Sequence, residues 1–400
     1  MRTRSPHWSF WSGRSSSALG GLLAALVALM GIATLTVTKA AEAPQAAITQ
    51  TPVPGELLTA AERSNYRATT SNEEVVDFCA RLAKTSKRVT TSTLGTTGEG
   101  RAIPLVLLAD PPISTPEQAA NSGKLVVLLI GNIHGGEVDG KEALLMLARS
   151  WAAASPSPDL FKQLVIAIVP NFNPDGNSRV AKDNRPGQDG PVDGMGTRTN
   201  SAGLDLNRDF AKLETPEVRG LMRWINLWNP AIVIDCHTTN GSYHRYTITY
   251  AGPRHPATPE PLATYARETL LPAVTKQLAS KDLIPSFWYG NFDPDHTRWV
   301  TAPALARFGT NMIGLRGRLA ILSESYSYAP YKERIRATRS FVSACLEHAA
   351  SHPKEIRDVL RAASSLPSST KVALRSRPEV RAKGVTVLGY EETSENGHIR

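Results

Sequence analysis

Four stretches of this sequence place imidazole, carboxylate or guanidinium groups at the ends of apolar runs or in a polar loop, at spacings that suit hydrolytic chemistry. In the first, the run 125–130 leads into Gly131-Asn132-Ile133-His134-Gly135-Gly136-Glu137, a histidine and a glutamate three residues apart. The two glycines between them let the backbone turn tightly enough for both side chains to converge on one ion. Alone, the pair is ordinary, since a helix-start glutamate beside a hydrogen-bonded loop histidine has the same pattern. In the second, the run 231–235 ends in Asp235-Cys236-His237-Thr238, so another imidazole emerges far along the chain. Two neutral imidazoles and one carboxylate, with a position left for water, are the ligand set of a catalytic zinc; a structural site would want a fourth protein ligand, and none offers itself. Such a metal lowers the pKa of its water from about 15.7 towards roughly 7. In the third, the run 319–322 delivers Glu324, a carboxylate placed to take and return a proton. The fourth is the loop Asp205-Leu206-Asn207-Arg208. There an arginine fork beside an amide suits a planar carboxylate, and Asp205 suits the imidazole N–H of His134, fixing the tautomer that binds metal.

These residues need a scaffold that brings distant strand ends together. Short apolar runs at 104–108, 124–130, 164–169, 231–235 and 319–322 read as strands, and the stretches 71–87, 137–153, 216–227, 259–278 and 331–351 read as helices. Alternation of the two predicts an α/β fold, a mostly parallel mixed sheet flanked by helices, with ligands bound at the C-terminal edge of the strands. The Gly, Asp, Asn and Arg-rich stretch 183–202 has no apolar period and reads as a long loop flanking that edge.

In chain order, His134-x-x-Glu137, Asn171-x-Asn173-Pro174-Asp175-Gly176, Asp205-x-Asn207-Arg208, His237 and Glu324 resemble the zinc carboxypeptidase family, over residues 64–348. Each piece is weak and the ordered set is strong. Segment 95–104, upstream of the first ligand pair, is also similar to the family's. The resemblance implies a single catalytic domain with one zinc held by His134, Glu137 and His237, and Glu324 as base. It further implies that Asn207 and Arg208 hold the terminal carboxylate of a peptide or acyl-amino-acid substrate, and that Arg198 polarises the scissile carbonyl. One departure stands out: the stretch 297–303, where the family carries its substrate-clamping tyrosine, has none, and Tyr289 and Tyr326 lie outside it. That bears on the substrate more than on the reaction. An amidase or deacylase acting on peptidoglycan stem peptides or N-acyl amino acids shares the zinc centre, and a catalytically silent binding protein shares the fold.

Composition sets the remaining bounds. With 41% apolar and 20% charged residues, the chain of 400 residues can bury a sizeable core. Arg2, Arg4 and Arg14 precede an uncharged, mostly apolar run at 18–37 and the small-residue pattern Ala41-Glu42-Ala43, the shape of an export signal, or of a membrane anchor if it is not cleaved. Removing residues 1–43 lowers the net charge from +9 to +6, and the remaining positive charges are scattered, so no nucleic-acid role is expected. Residues 44–63 read as a linker, 64–351 as the catalytic domain and 352–400 as a C-terminal extension. Three cysteines, Cys79, Cys236 and Cys345, are too few for a disulfide framework. His244, which follows the second ligand strand, is a candidate pocket residue. The sequence leaves the oligomeric state open.

Overall fold

The computed structural model describes residues 57–154, 159–239 and 241–365, with 373, 376–377, 379–380 and 383–390 of the tail. The expected export segment and residues 44–56 of the expected linker lie outside the described residues.

Eight strands form one mixed sheet: β1 (Val89–Thr96), β2 (Ala102–Leu108), β3 (Leu125–Gly131), β4 (Leu164–Val169), β5 (Ile232–Thr238), β6 (Ile248–Ala251), β7 (Ser286–Trp288) and β10 (Leu319–Ser325); β8 (Asn291–Phe292) and β9 (Trp299–Val300) make a separate antiparallel pair. The order is β1-β2-β4-β3-β5-β10-β6-β7. The four central strands β4, β3, β5 and β10 are parallel; β1 and β2 pair antiparallel to their neighbours, and β6 is antiparallel to β10 and parallel to β7. The central strands carry apolar residues on both sides because both faces are covered. Val127 and Leu129 pack under the helices Asn72–Thr85, Val138–Ala153 and Tyr331–Ser351. Their neighbours Val126, Leu128 and Ile130 pack under Pro216–Trp228 on the opposite face.

Two of the expected strands run further than their apolar residues do. β5 continues through Thr238 and β10 through Ser325, so His237 and Glu324 are strand residues, paired directly opposite each other. Ladder hydrogen bonds hold these polar residues in extended backbone, where hydrophobicity gives no sign of a strand. The expected helix at 259–278 is a run of segments, Glu260–Tyr265 and Leu271–Gln277, each followed by a π turn.

Both domain boundaries move outward. Leu57 is buried in the core, and Thr59 caps the short helix Ala60–Arg63 with a capping box. Arg149 donates to both oxygens of Glu62 at 2.6 and 2.7 Å, so residues 57–63 are part of the folded body rather than linker. At the other end the helix Pro353–Ser364 buries Ile356 and Ala363 in the same core, so the fold runs past residue 351. All three cysteines are buried thiols. Among the described residues no helix is long and apolar enough to cross a membrane.

Candidate metal centre and active site

Three loops pack backbone against backbone at the C-terminal edge of the sheet, and only glycine lets them. A side chain at Gly135 would meet the backbone of Gly176 and Asn177 at 2.3 and 2.4 Å, and one at Gly196 would meet the carbonyl oxygen of Gly176 at 2.2 Å. The Asn-Pro-Asp-Gly turn is the hub of this contact. Asn173 Oδ1 accepts from Gly176 N at 2.9 Å, and Asp175 accepts from Thr97 Oγ1 at 2.7 Å and Arg101 Nη1 at 2.8 Å. Segment 95–104 is thereby tied beneath the ligand loop, and the loop that carries Arg185 and Arg198 lies across it.

The structure brings His134, Glu137 and His237 together, each buried, with one potential ligand atom from each lying within 4.8 Å of the others. His134 Nδ1 lies 2.9 Å from Glu137 Oε1 and His237 Nδ1 lies 2.9 Å from Glu137 Oε2. The opposite ring nitrogens face two more carboxylates: His134 Nε2 is 3.1 Å from Asp205 Oδ1, and His237 Nε2 is 2.9 Å from Asp235 Oδ2. A neutral imidazole has one N–H and one lone pair. If each Nε2–H is donated to its outer carboxylate, each Nδ1 lone pair faces an oxygen of Glu137, an acceptor against an acceptor. A proton or a cation must stand between them. The donor set, two nitrogens and a carboxylate with ring orientations fixed from behind, fits a divalent zinc.

The charges around this centre bear the same mark. Burial alone would raise the Glu137 carboxyl, but the charges of His134 and Arg185 and the hydrogen bonds of both imidazoles hold it well below the usual carboxylate range. Burial would likewise drive a proton off His237, yet Asp235 and Glu137 outweigh it and raise its pKa. Asp205, too, is held down against burial by His134, Arg198 and Arg208. Four carboxylates, Glu137, Asp205, Asp235 and Glu324, thus converge on two imidazoles and three arginines. A cation at the centre is the natural complement of such a set.

Glu324 stands beside His237 on the neighbouring strand and is buried. Burial pushes its carboxyl up to about 8, with Glu137 adding to the rise and His237, Arg198 and Arg185 opposing it. A carboxyl held in that range is suited to taking and giving a proton near neutral pH. Arg198 donates through Nε to Asp205 Oδ2 at 2.9 Å, and its Nη1 lies 3.7 Å from Glu137 Oε1. Arg208 lies 3.6 Å from Asp205 and stacks its guanidinium over the Phe308 ring at 4.3 Å. Asn207 accepts from Gly309 N at 2.8 Å, and its amide nitrogen lies 3.5 Å from His237 Nε2. All eight residues singled out in the sequence therefore fall in one place.

Sequence reasoning passed over four others. Asp235 reads as the polar end of a strand, and nothing before the fold was known pairs it with His237. Arg185, in the long polar loop, donates to Glu137 Oε1 at 3.2 Å and to the Thr238 carbonyl at 3.2 Å. Tyr289, outside the stretch 297–303, lies close enough to the site that the charge of Glu324 is the largest influence raising its hydroxyl, followed by burial and Glu137. The fourth, Arg254, follows β6 and is half-buried. His244, in contrast, is buried in an aromatic cluster with Tyr326, Tyr246 and Trp299, where burial lowers it to about 4.

Comparison with known proteins agrees with this geometry. The family model described as zinc carboxypeptidase matches residues 75–277, a span that holds His134, Glu137, Arg198, Asn207, Arg208 and His237. Human carboxypeptidase D is 36% identical over 118 residues, 26% of this chain and 9% of that protein. Carboxypeptidase E of Caenorhabditis elegans is 36% identical over 127 residues, 30% of this chain and 25% of that one. The chain thus spans a small fraction of these relatives. Among solved structures, a metallo-carboxypeptidase from Burkholderia cenocepacia superposes with a TM-score of 0.51 at 20% identity, covering 70% of this chain and 69% of that one. Carboxypeptidase A from Helicoverpa armigera does so at 0.51 and 17% identity, covering 74% and 78%. Fold, ordered motifs and family model coincide, and the chain belongs to the zinc carboxypeptidase family.

Proposed function

We propose that this protein is an exported metallocarboxypeptidase that holds one zinc through His134, Glu137 and His237 and hydrolyses the amide bond next to a free C-terminal carboxylate. The observation that carries the reading is the pair of Nδ1 atoms facing the two oxygens of Glu137, each ring held from behind by a carboxylate. A zinc ion there would supply Lewis acidity and bring water towards ionisation near neutral pH. Glu324 holds the proton that water gives up and passes it to the leaving amine. Arg208 and the Asn207 amide bind the terminal carboxylate, which places the last peptide bond, and no internal one, against Glu324. Arg198, steadied by Asp205, offers N–H groups to the carbonyl oxygen as charge builds on it, the kind of donor whose loss costs about 3 to 4 kcal/mol.

The test compares peptides that differ only in a free or an amidated C-terminus, with and without a chelator. Cleavage of the last residue from the free form alone, abolished by the chelator and restored by zinc, is the expected result. Equal cleavage of the amidated form would remove the carboxypeptidase reading and leave that of an amidase.

Asp235 carries a prediction of its own. In Asp235→Asn the side chain keeps its shape but offers His237 Nε2 only a neutral amide, which can accept through its oxygen or donate through its nitrogen, so the tautomer of His237 is no longer firmly fixed. Zinc affinity, measured by competition with a chromogenic chelator, should fall roughly 10- to 100-fold. An affinity equal to that of the unaltered protein would show that Asp235 does not orient the ligand.

A further inference from the structure

Arg254 follows β6 by three residues, and its guanidinium has no carboxylate partner among the described residues. Its one side-chain hydrogen bond runs from Nη1 to Thr301 Oγ1. The guanidinium is largely enclosed, and burial lowers its pKa, with only the Tyr289 hydroxyl acting against that. An arginine drawn in from solvent without an acid to meet it is unusual, because desolvating the charge is costly unless something anionic compensates.

Its position says what that anion is. The first turn of the helix Gly309–Leu315 is gripped at two points: Gly309 N donates to Asn207 Oδ1 at 2.8 Å, and Arg254 N donates to Asn311 Oδ1 at 3.0 Å. Asn207 and Arg254 are therefore bound to residues two apart on a single helical turn. On the other side, Tyr289 is common ground: the charges of Glu324 and Arg254 act on its hydroxyl, and that hydroxyl acts on Arg254 and Arg208. The peptide nitrogen of Tyr289 donates to the carbonyl of Tyr250 on β6 at 2.8 Å, and β6 pairs its Thr249 with Glu324, which seats these groups on adjoining strands. Arg208, the residue assigned to the terminal carboxylate, has Asp205 as a counter-charge; Arg254 has none among the described residues.

We infer that Arg254 lies in the pocket for the substrate's last side chain and that the enzyme prefers peptides ending in glutamate or aspartate, whose side-chain carboxylate pairs with this guanidinium. The inference rests on the carboxypeptidase reading above. A glutamate at the chain end brings two carboxylates, one for Arg208 with Asn207 and one for Arg254, and the planar fork of arginine matches the second as well as the first. A lysine or arginine at that place would meet like charge, and an aromatic residue would leave the guanidinium buried and uncompensated.

The experiment uses the zinc-loaded full chain and a set of peptides identical except for a last residue of Glu, Asp, Gln, Phe or Lys. The expected kcat/KM for Glu exceeds that for its neutral isostere Gln by about 10- to 100-fold, the range of a charge-assisted hydrogen bond. In Arg254→Gln the ratio should fall to within about threefold. In Arg254→Glu the preference should move to Lys. Calorimetry with free L-glutamate and L-glutamine reads the same pocket without turnover, and glutamate should bind the unaltered protein more tightly. Peptides ending in Phe or Lys cleaved ahead of Glu would overturn the Arg254 assignment while leaving the carboxypeptidase reading in place. Failure to cleave any free-ended peptide would sink the carboxypeptidase reading, and the calorimetric comparison then judges Arg254 alone: equal binding of the two amino acids overturns it.

Discussion

Glu324→Gln is expected to keep its zinc and lose turnover, with kcat down by about 10²- to 10⁴-fold, the usual contribution of a positioned proton acceptor. The amide has nearly the size and shape of the carboxylate, so β10 and its pairing with His237 need not move. It cannot take a proton from water as the Glu324 carboxylate can. The change affects the metal only indirectly, because Glu324 is not one of the three residues whose ligand atoms converge. Elemental analysis should therefore find one zinc per chain in the variant, and the peptide KM should change far less than kcat. Two other results would argue against the assignment. If zinc is lost together with activity, Glu324 is part of the metal shell rather than the base; if the variant turns over at the original rate, the proton goes elsewhere.

How much of this centre the sequence reveals follows from where each residue lies in the fold. His134, His237 and Glu324 stand at or just beyond apolar runs, and any parallel arrangement of those runs gathers their C-terminal ends. That alone put them near one another. Their mutual register was out of reach, since whether Glu324 meets His237 or a residue two places away depends on ladder pairing, and the polar residues that extend β5 and β10 are silent in hydropathy. Loop residues are a harder case. Arg198 was visible only through its resemblance to the family, and Arg185, Tyr289 and Arg254 lie in segments whose path depends on the loops packed around them. Asp205 was found because it sits beside Asn207 and Arg208, while Asp235, with the corresponding place behind His237, looked like an ordinary strand residue. The limits of the folded body are hidden in the sequence for a similar reason. Residues 57–63 are polar and short, and the ion pair of Glu62 with Arg149 that secures them joins positions 87 residues apart.

Arg334→Met should be the most damaging single change away from the metal, because the arginine closes a buried polar network directly behind the ligand strands. Arg334 and Asp139 are both fully buried and meet as a fork, Nε to Oδ2 at 2.8 Å and Nη2 to Oδ1 at 3.0 Å. Asp139 Oδ2 also accepts from Thr238 Oγ1 at 2.6 Å and Ser325 Oγ at 2.8 Å, the residues that follow His237 and Glu324 on their strands. The remaining guanidinium hydrogens go to the carbonyls of Ser327, Ala329 and Asp189. One ion pair thus fastens the helix Tyr331–Ser351 and the start of Val138–Ala153 to the ends of β5 and β10. Methionine fills a similar volume but leaves a carboxylate buried with two hydroxyl donors and three carbonyls without partners. Breaking such a pair from one side costs about 3 to 5 kcal/mol. Denaturant unfolding of the zinc-free protein should show a loss of that order, and thermal unfolding a fall in Tm on the order of 10 °C. Comparing Asp139→Asn with the double variant separates the pair from its neighbours, since residues in one network couple strongly and the two losses should fall well short of additive. Since Asp139, which holds Thr238 and Ser325, loses its counter-charge and is free to shift, zinc affinity should drop in Arg334→Met although His134, Glu137 and His237 are untouched. A stability loss below about 1 kcal/mol would place the pair among contacts that contribute little, and would mean that the strand ends are held by their ladder bonds alone.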